Sequence, residues 1–174
     1  MLWIVRSEPQ ATATTARATA LGLPARSAPL SPITSLAPEL PASPPGAILL
    51  TSANAAPALA ALPPAWRALP VFAVGPATAA AARAAGATSV TAGQGDGQSI
   101  LARAAGHATI LHLAGADRIA LTPPPGTRLV TATAYANRLL PDLPEGLRAD
   151  LATGAAVLAL FSPRTAAQIG RAHV

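Results

Sequence analysis

Residues 48–62 read ILLTSANAAPALAAL: large apolar residues, a pair of hydroxyl residues, then an alanine-rich run. The apolar triplet predicts a short buried strand over Ile48–Leu50, and Thr51-Ser52 predicts a turn into a helix opening near Ala53. Ser52 is placed to cap that helix, because its hydroxyl can accept from one of the first backbone N–H groups, which have no partner inside the helix. The remaining N–H groups and the positive end of the helix dipole then form a small anion site. The pattern returns twice. Val71–Ala85, VFAVGPATAAAARAA, turns at Gly75-Pro76 and puts Thr78 in the first helical turn. Val157–Ala167, VLALFSPRTAA, runs an apolar strand, predicted to be buried over Val157–Phe161, into Ser162, a proline and a helix.

The flanking sequence extends this rhythm. Leu2–Val5 predicts a strand, Arg6-Ser7-Glu8-Pro9 a corner, and Gln10–Leu21 a helix ended by Gly22. Ala25–Leu30 is a weaker strand. Residues 31–46, SPITSLAPELPASPPG, are proline-rich and interrupt the alternation, so they read as a connector, with Ile33–Leu36 extended. After Ala47 the chain predicts strand Val71–Val74, a helix closed by Gly86, strand Ser89–Thr91, helix Gln98–Ala105 and strand Thr109–Leu113. Pro63-Pro64 and the run Thr122–Gly126, TPPPG, are breaks. Arg128–Tyr135, RLVTATAY, alternates like a strand with one wet face and pairs with Ile33–Leu36 as a return crossing. Pro144–Leu151 predicts a short helix. Strands separated by helices imply parallel sheets with helices on their faces.

Composition narrows the function. The chain is 51% apolar but only 3% aromatic, and much of the apolar fraction is alanine, so its core depends on close backbone approach. The net charge of +5 is carried by arginine with no lysine, most simply the mark of a GC-rich genome. The arginines are scattered, without basic runs or interleaved aromatics, which argues against nucleic acid. Without cysteine there is no disulfide or thiolate chemistry. MLWIVR meets an arginine too early for a signal peptide, and Leu40–Trp66, though uncharged, holds six prolines, so no membrane helix is expected. These features predict a soluble cytoplasmic protein.

Few constellations suggest acid–base or metal chemistry. His107 and His112 stand at no metal-ligand spacing and read as structural or incidental. Gly93-Gln94-Gly95-Asp96-Gly97 lacks the spacing of a dinucleotide loop and reads as a plain flexible loop. Asp117-Arg118 reads as a corner ion pair. The acids form no pair or cage, and no serine nucleophile elbow is present. The residues alone thus indicate polyanion binding at helix N-termini. A non-catalytic anion- or metabolite-binding module on such a lobe would present the same corners.

IVRSEPQ, LLTSANA, PVFAVGPATAAAARAAG, LHLAGADR and LFSPRTA, in this order and approximate spacing, resemble the uroporphyrinogen-III synthase family over nearly the whole chain to Gln168. The resemblance implies an α/β fold of two flavodoxin-like parallel-sheet lobes joined by a two-stranded connector. The first lobe would comprise residues 1–30 and 139–174, the connector strands 31–46 and 127–138, and the second lobe 47–126. It also implies a reaction without cofactor or metal, in which hydroxymethylbilane loses water, inverts its last pyrrole ring through a spiro intermediate and closes. The substrate is a flexible polycarboxylate, and the enzyme is expected to be a monomer. Tyr135, in the family's return-strand tyrosine position, becomes the candidate to assist departure of the hydroxyl. Arg6, Ser52, Asn54, Thr78, Ser162 and Arg164 become candidate carboxylate binders.

Two departures from the family pattern stand out. TPPPG replaces most of a helix expected after Arg118, and the last part of the first lobe is absent. Ile169–Val174, IGRAHV, is what ATCGGAAGAGCACACGTC encodes, a string matching common sequencing adapters. The native sequence is therefore expected to diverge near Gln168, leaving the first lobe incomplete at its C-terminus and Arg171 and His173 without biological meaning.

Overall fold

A computed structural model describes residues 1–8 and 10–172, apart from the side chains of Arg164 and Ala172. The chain divides into two compact units, one formed by Met1–Ile33 with the chain from Asn137, the other by Thr34–Ala136.

The first unit carries Leu2–Val5 (β1), Gln10–Ala20 (α1), Ala25–Ser27 (β2), Glu145–Ala152 (α5), Val157–Leu160 (β9) and Pro163–Ala172 (α6). Its parallel sheet has the order β2-β1-β9. Gly22 ends α1 at φ 78°, the left-handed conformation that glycine adopts without steric cost. Trp3, Val5, Leu30, Leu143, Leu147 and Ile169 form the core. The Trp3 indole donates to Asp150 Oδ2 at 2.9 Å, the partner that a buried indole N–H needs. Of the segment Ile169–Val174, residues 169–172 continue α6, and His173 and Val174 lie outside the described residues, as does Pro9 of the first corner.

The expected burial of β9 is not met. Val157 is 63% exposed, Leu160 42% and the adjoining Phe161 51%. Among the described residues the strand lies at the sheet edge, beside β1 alone in the sheet order, so its apolar side chains have no neighbouring strand on that side to pack along.

The second unit carries Ala47–Leu50 (β4), a 3-10 helix Ala53–Ala61, Pro64–Arg67 (α2), Val71–Ala73 (β5), Pro76–Ala84 (α3), Val90–Ala92 (β6), Gly97–Arg103 (α4), Thr109–Gly115 (β7) and Arg128–Asn137 (β8). With Ile33–Ser35 (β3) these form a sheet of order β3-β8-β7-β4-β5-β6. Successive residues of β4 serve opposite faces. Ile48 and Leu50 join Leu59, Leu62, Leu111 and Leu113 on one side, while Leu49 joins Phe72, Ile100 and Ile110 on the other. Burial on both faces is what parallel sheets require.

Two expectations hold with added detail here, and one needs correction. The helix after Ser52 is a 3-10 helix containing Pro57, whose missing N–H and ring oppose a continuous α-helix. The break at Pro63-Pro64 includes a short helix that buries Trp66. The connector strands form one end of the second unit's sheet rather than a separate ladder. β8 pairs in parallel with β7 from Arg128 to Tyr135, and its buried Ala132 and Ala134 join the core on the side of Leu111 and Leu113. The register slips once: Ala114 faces Thr133, but Gly115 faces Tyr135, leaving Ala134 as an extra residue.

Candidate active site

From β4 the chain steps to β5 and β6 on one side, then returns to β7 on the other. The loops after β4 and β7 therefore diverge at the C-terminal ends of their strands, the position where open parallel sheets place a ligand crevice. A cleft of about 340 Å³ opens there. Thr51 follows β4, Gly115 ends β7, Tyr135 stands near the end of β8, and Arg118 comes from the next corner. Val74, residues 95–98, Asp117 and residues 119–121 complete its walls.

Thr51 Oγ1 and His112 Nε2 lie 2.9 Å apart. Leu49 and His112 are partners in the β4–β7 ladder, and His112 is 2% exposed. Burial, reinforced by the positive charge of Arg118, lowers its pKa to about 4, so the imidazole is neutral at neutral pH. Arg118 Nη1 donates to the Gly115 carbonyl at 3.0 Å, which holds the guanidinium beside the cleft.

The Tyr135 ring lies directly over Gly115. A side chain at that glycine would have no room, and the register slip at Ala114/Gly115 brings the two residues opposite one another. Ala116 N–H donates to Tyr135 O at 2.9 Å and fixes the backbone beneath the ring.

The loop Gly93–Gly97 is pinned, contrary to its reading as a flexible segment. Gly93 and Gly95 each donate a backbone N–H, to Ala73 O and Val74 O, at 2.7 Å. A Cβ on Gly93 would meet Val74 O at 2.8 Å, so the close approach requires glycine. Asp96 caps α4 by accepting from Ser99 N, and these hydrogen bonds from Ser99 hold its carboxyl below the usual range. Gln98 forms a two-way amide clamp: Nε2 donates to Thr122 O at 2.7 Å, and Oε1 accepts from Thr122 N at 3.0 Å.

Of the residues predicted from sequence, Tyr135 lies in this cleft. Ser52 caps the 3-10 helix, its Oγ accepting from Asn54 N at 3.2 Å. Asn54 lines a separate hollow of about 270 Å³. Thr78 is 5% exposed, which leaves little of its side chain for a ligand. Arg6, in the first unit, donates to Thr14 Oγ1 at 3.2 Å and stacks 4.4 Å above the Phe161 ring. The Ser162 carbonyl accepts from Ala166 N and from Thr165 Oγ1 at the start of α6. The Arg164 side chain lies outside the described residues. Thr51 and His112 were not selected from sequence. The available signal was positional, since Thr51 is the first residue beyond a strand next to the topological switch.

Among the described residues, no group of three or more His, Cys, Asp or Glu side chains could hold a metal ion, and no helix is long and apolar enough to cross a membrane. The family model described as uroporphyrinogen-III synthase HemD matches residues 13–172. The chain belongs to the uroporphyrinogen-III synthase family. Membership places it in tetrapyrrole biosynthesis, among lyases. A solved uroporphyrinogen-III synthetase from Helicobacter pylori 26695 is similar to it with a TM-score of 0.58 and 20% identity, covering 87% of this chain and 68% of that one. At that identity the likeness concerns the fold, α/β with parallel sheets. No curated protein sequence matches the chain. In this member of the uroporphyrinogen-III synthase family, the strand-end cleft gathers a tyrosine, an arginine and a threonine backed by a buried histidine.

Proposed function

We propose that this chain cyclises hydroxymethylbilane, with loss of water and inversion of the last pyrrole ring through a spiro intermediate, and that the cleft at Tyr135 is where the hydroxyl departs. The observation that carries this reading is the phenol held over Gly115 at a sheet switch point beside Arg118. As the carbon–oxygen bond breaks, the Tyr135 O–H donates a hydrogen bond or its proton to the leaving oxygen. Attack of the last ring then depends on conformation, because a flexible linear substrate can also close at a neighbouring carbon. Holding its carboxylates favours the productive geometry.

Arg118 and the Thr51 hydroxyl are suited to carboxylates in the cleft. Ser52, Asn54 and Thr78 are proposed to contribute at the helix starts they occupy, where the positive end of the helix dipole is worth ~0.3–1 kcal/mol toward an anion. Arg6, Ser162 and Arg164 are proposed as further carboxylate contacts on the first unit. The finer architecture belongs to the same proposal: two flavodoxin-like lobes joined by a two-stranded connector, the first incomplete beside β9. The exposed Val157 and Leu160 support it.

The test is the isomer ratio of the uroporphyrin obtained by oxidising the product formed from hydroxymethylbilane, separated by chromatography. Isomer III in excess of the spontaneous isomer I is expected. Only isomer I from protein shown to be folded would overturn the reading and leave a polyanion-binding module.

A further inference from the structure

The Thr51–His112 pair has a direction that the chemistry of the cleft decides. A threonine hydroxyl has one proton, and a carboxylate can only accept. If Thr51 gives its proton to a bare Nε2, its oxygen presents lone pairs to the ligand and repels an anion. If Nε2 carries the proton and donates to Thr51 Oγ1, the Thr51 O–H remains free to donate into the cleft. A carboxylate ligand selects the second arrangement, and the side chain is held in place to make it. Thr51 lines the cleft, and its Cγ2 stands 3.5 Å from where a Cβ on Gly97 would be, so its methyl faces the start of α4. A β-branched residue held by its methyl has little rotamer freedom left, and a hydrogen bond at the hydroxyl fixes the remainder.

We propose that His112 is a positioning residue for substrate binding: its Nε2–H donates to Thr51 Oγ1 and leaves the Thr51 O–H aimed at a carboxylate of the tetrapyrrole. The proposal rests on reading the cleft as a polycarboxylate site. His112 itself is 2% exposed and acts through Thr51. The neighbouring Arg118, which attracts the carboxylate, also opposes a second positive charge on the imidazole and so keeps the ring neutral, with a single N–H to place.

The experiment compares Thr51→Val, His112→Leu and His112→Gln, the last keeping an N–H donor at the reach of Nε2. Thr51→Val and His112→Leu should each raise KM for hydroxymethylbilane about 10-fold, with kcat changed less than about twofold, as expected for a lost hydrogen bond to a charged group. His112→Gln should recover most of the loss, and the double variant should be no worse than either single variant. Long-range proton–nitrogen correlation spectra of the wild type should show the His112 proton on Nε2, with that signal moving in Thr51→Val. A proton on Nδ1 with bare Nε2, or additive losses in the double variant, would overturn the proposal. If His112→Leu fails to fold, Thr51→Val and His112→Gln decide it. If folded wild type forms no isomer III, the assigned reaction fails, whereas the tautomer and its dependence on Thr51 still decide the positioning role.

Discussion

Tyr135 Cζ stands 2.7 Å, and its Oη 2.9 Å, from the point a Cβ on Gly115 would occupy. A methyl group there cannot coexist with the ring in its present place. Because the contact is between a strand backbone and an aromatic ring, the ring must move. Gly115→Ala should therefore lower the rate of isomer III formation by about 10-fold or more, with a stability loss of ~1–3 kcal/mol from overpacking. Rate and denaturant midpoint, measured together, check this. Unchanged turnover would mean that the ring position is irrelevant to the reaction.

Tyr135→Phe tests the hydroxyl separately, since it keeps the ring against Gly115. Turnover should fall about 10²-fold, the lower end for general acid catalysis. The melting temperature should barely change, because Tyr135 is only partly buried. Wild-type turnover in this variant would remove the phenol from the mechanism.

His112 should give the fold an acid-sensitive component. Its pKa falls from 6.5 to about 4, so between those values the unfolded chain binds a proton that the folded chain excludes. This contribution is fully present above the unfolded value and declines as pH falls toward the folded one. Its size is about 3 kcal/mol by the linkage relation. Urea unfolding across that window should show the decline, and His112→Leu should flatten it. An unaltered slope in His112→Leu would locate the acid sensitivity elsewhere.

The Gln98–Thr122 clamp should govern the wall formed by residues 119–121. Gln98→Leu removes both hydrogen bonds, each worth ~1 kcal/mol. Amide exchange at Ile119–Thr122 should then quicken about 10-fold. KM should rise while the core strands keep their protection. Unchanged exchange would show that the loop is held by its prolines alone.

The corners were legible because their signals are local: an apolar run, a hydroxyl or Gly-Pro turn, then alanines. Ser52 caps as expected for that reason, and Gly22 ends its helix. The connector strands were recognised, but not their membership of the larger sheet, since pairing with β7 is a long-range event. Exposure of β9 could not be read either, because its apolar sequence states what would be buried if a neighbour were present. Pro57 did carry a warning against an α-helix. The cleft was the least legible part. Thr51 and His112 are 61 residues apart, and only the return of the chain from β6 to β7 brings them together. Tyr135 was singled out through family resemblance, as nothing in RLVTATAY distinguishes a catalytic phenol from a structural one.

Ala134 gives this strand one residue more than its neighbour. Ala134 and Tyr135 together stand where the facing strand supplies Gly115 alone, and both pack against the apolar cluster that holds Ala132. Extra length on one side of a ladder bends that strand and sharpens its twist, so the surplus residue sets the angle at which the phenol leaves the sheet. A protein lacking that one small residue could retain its strand order, much of its packing and a tyrosine opposite Gly115, while the ring left the strand in another direction. In redesigning or grafting this strand, the count between Thr133 and Tyr135 is a constraint as strict as the identity of the tyrosine.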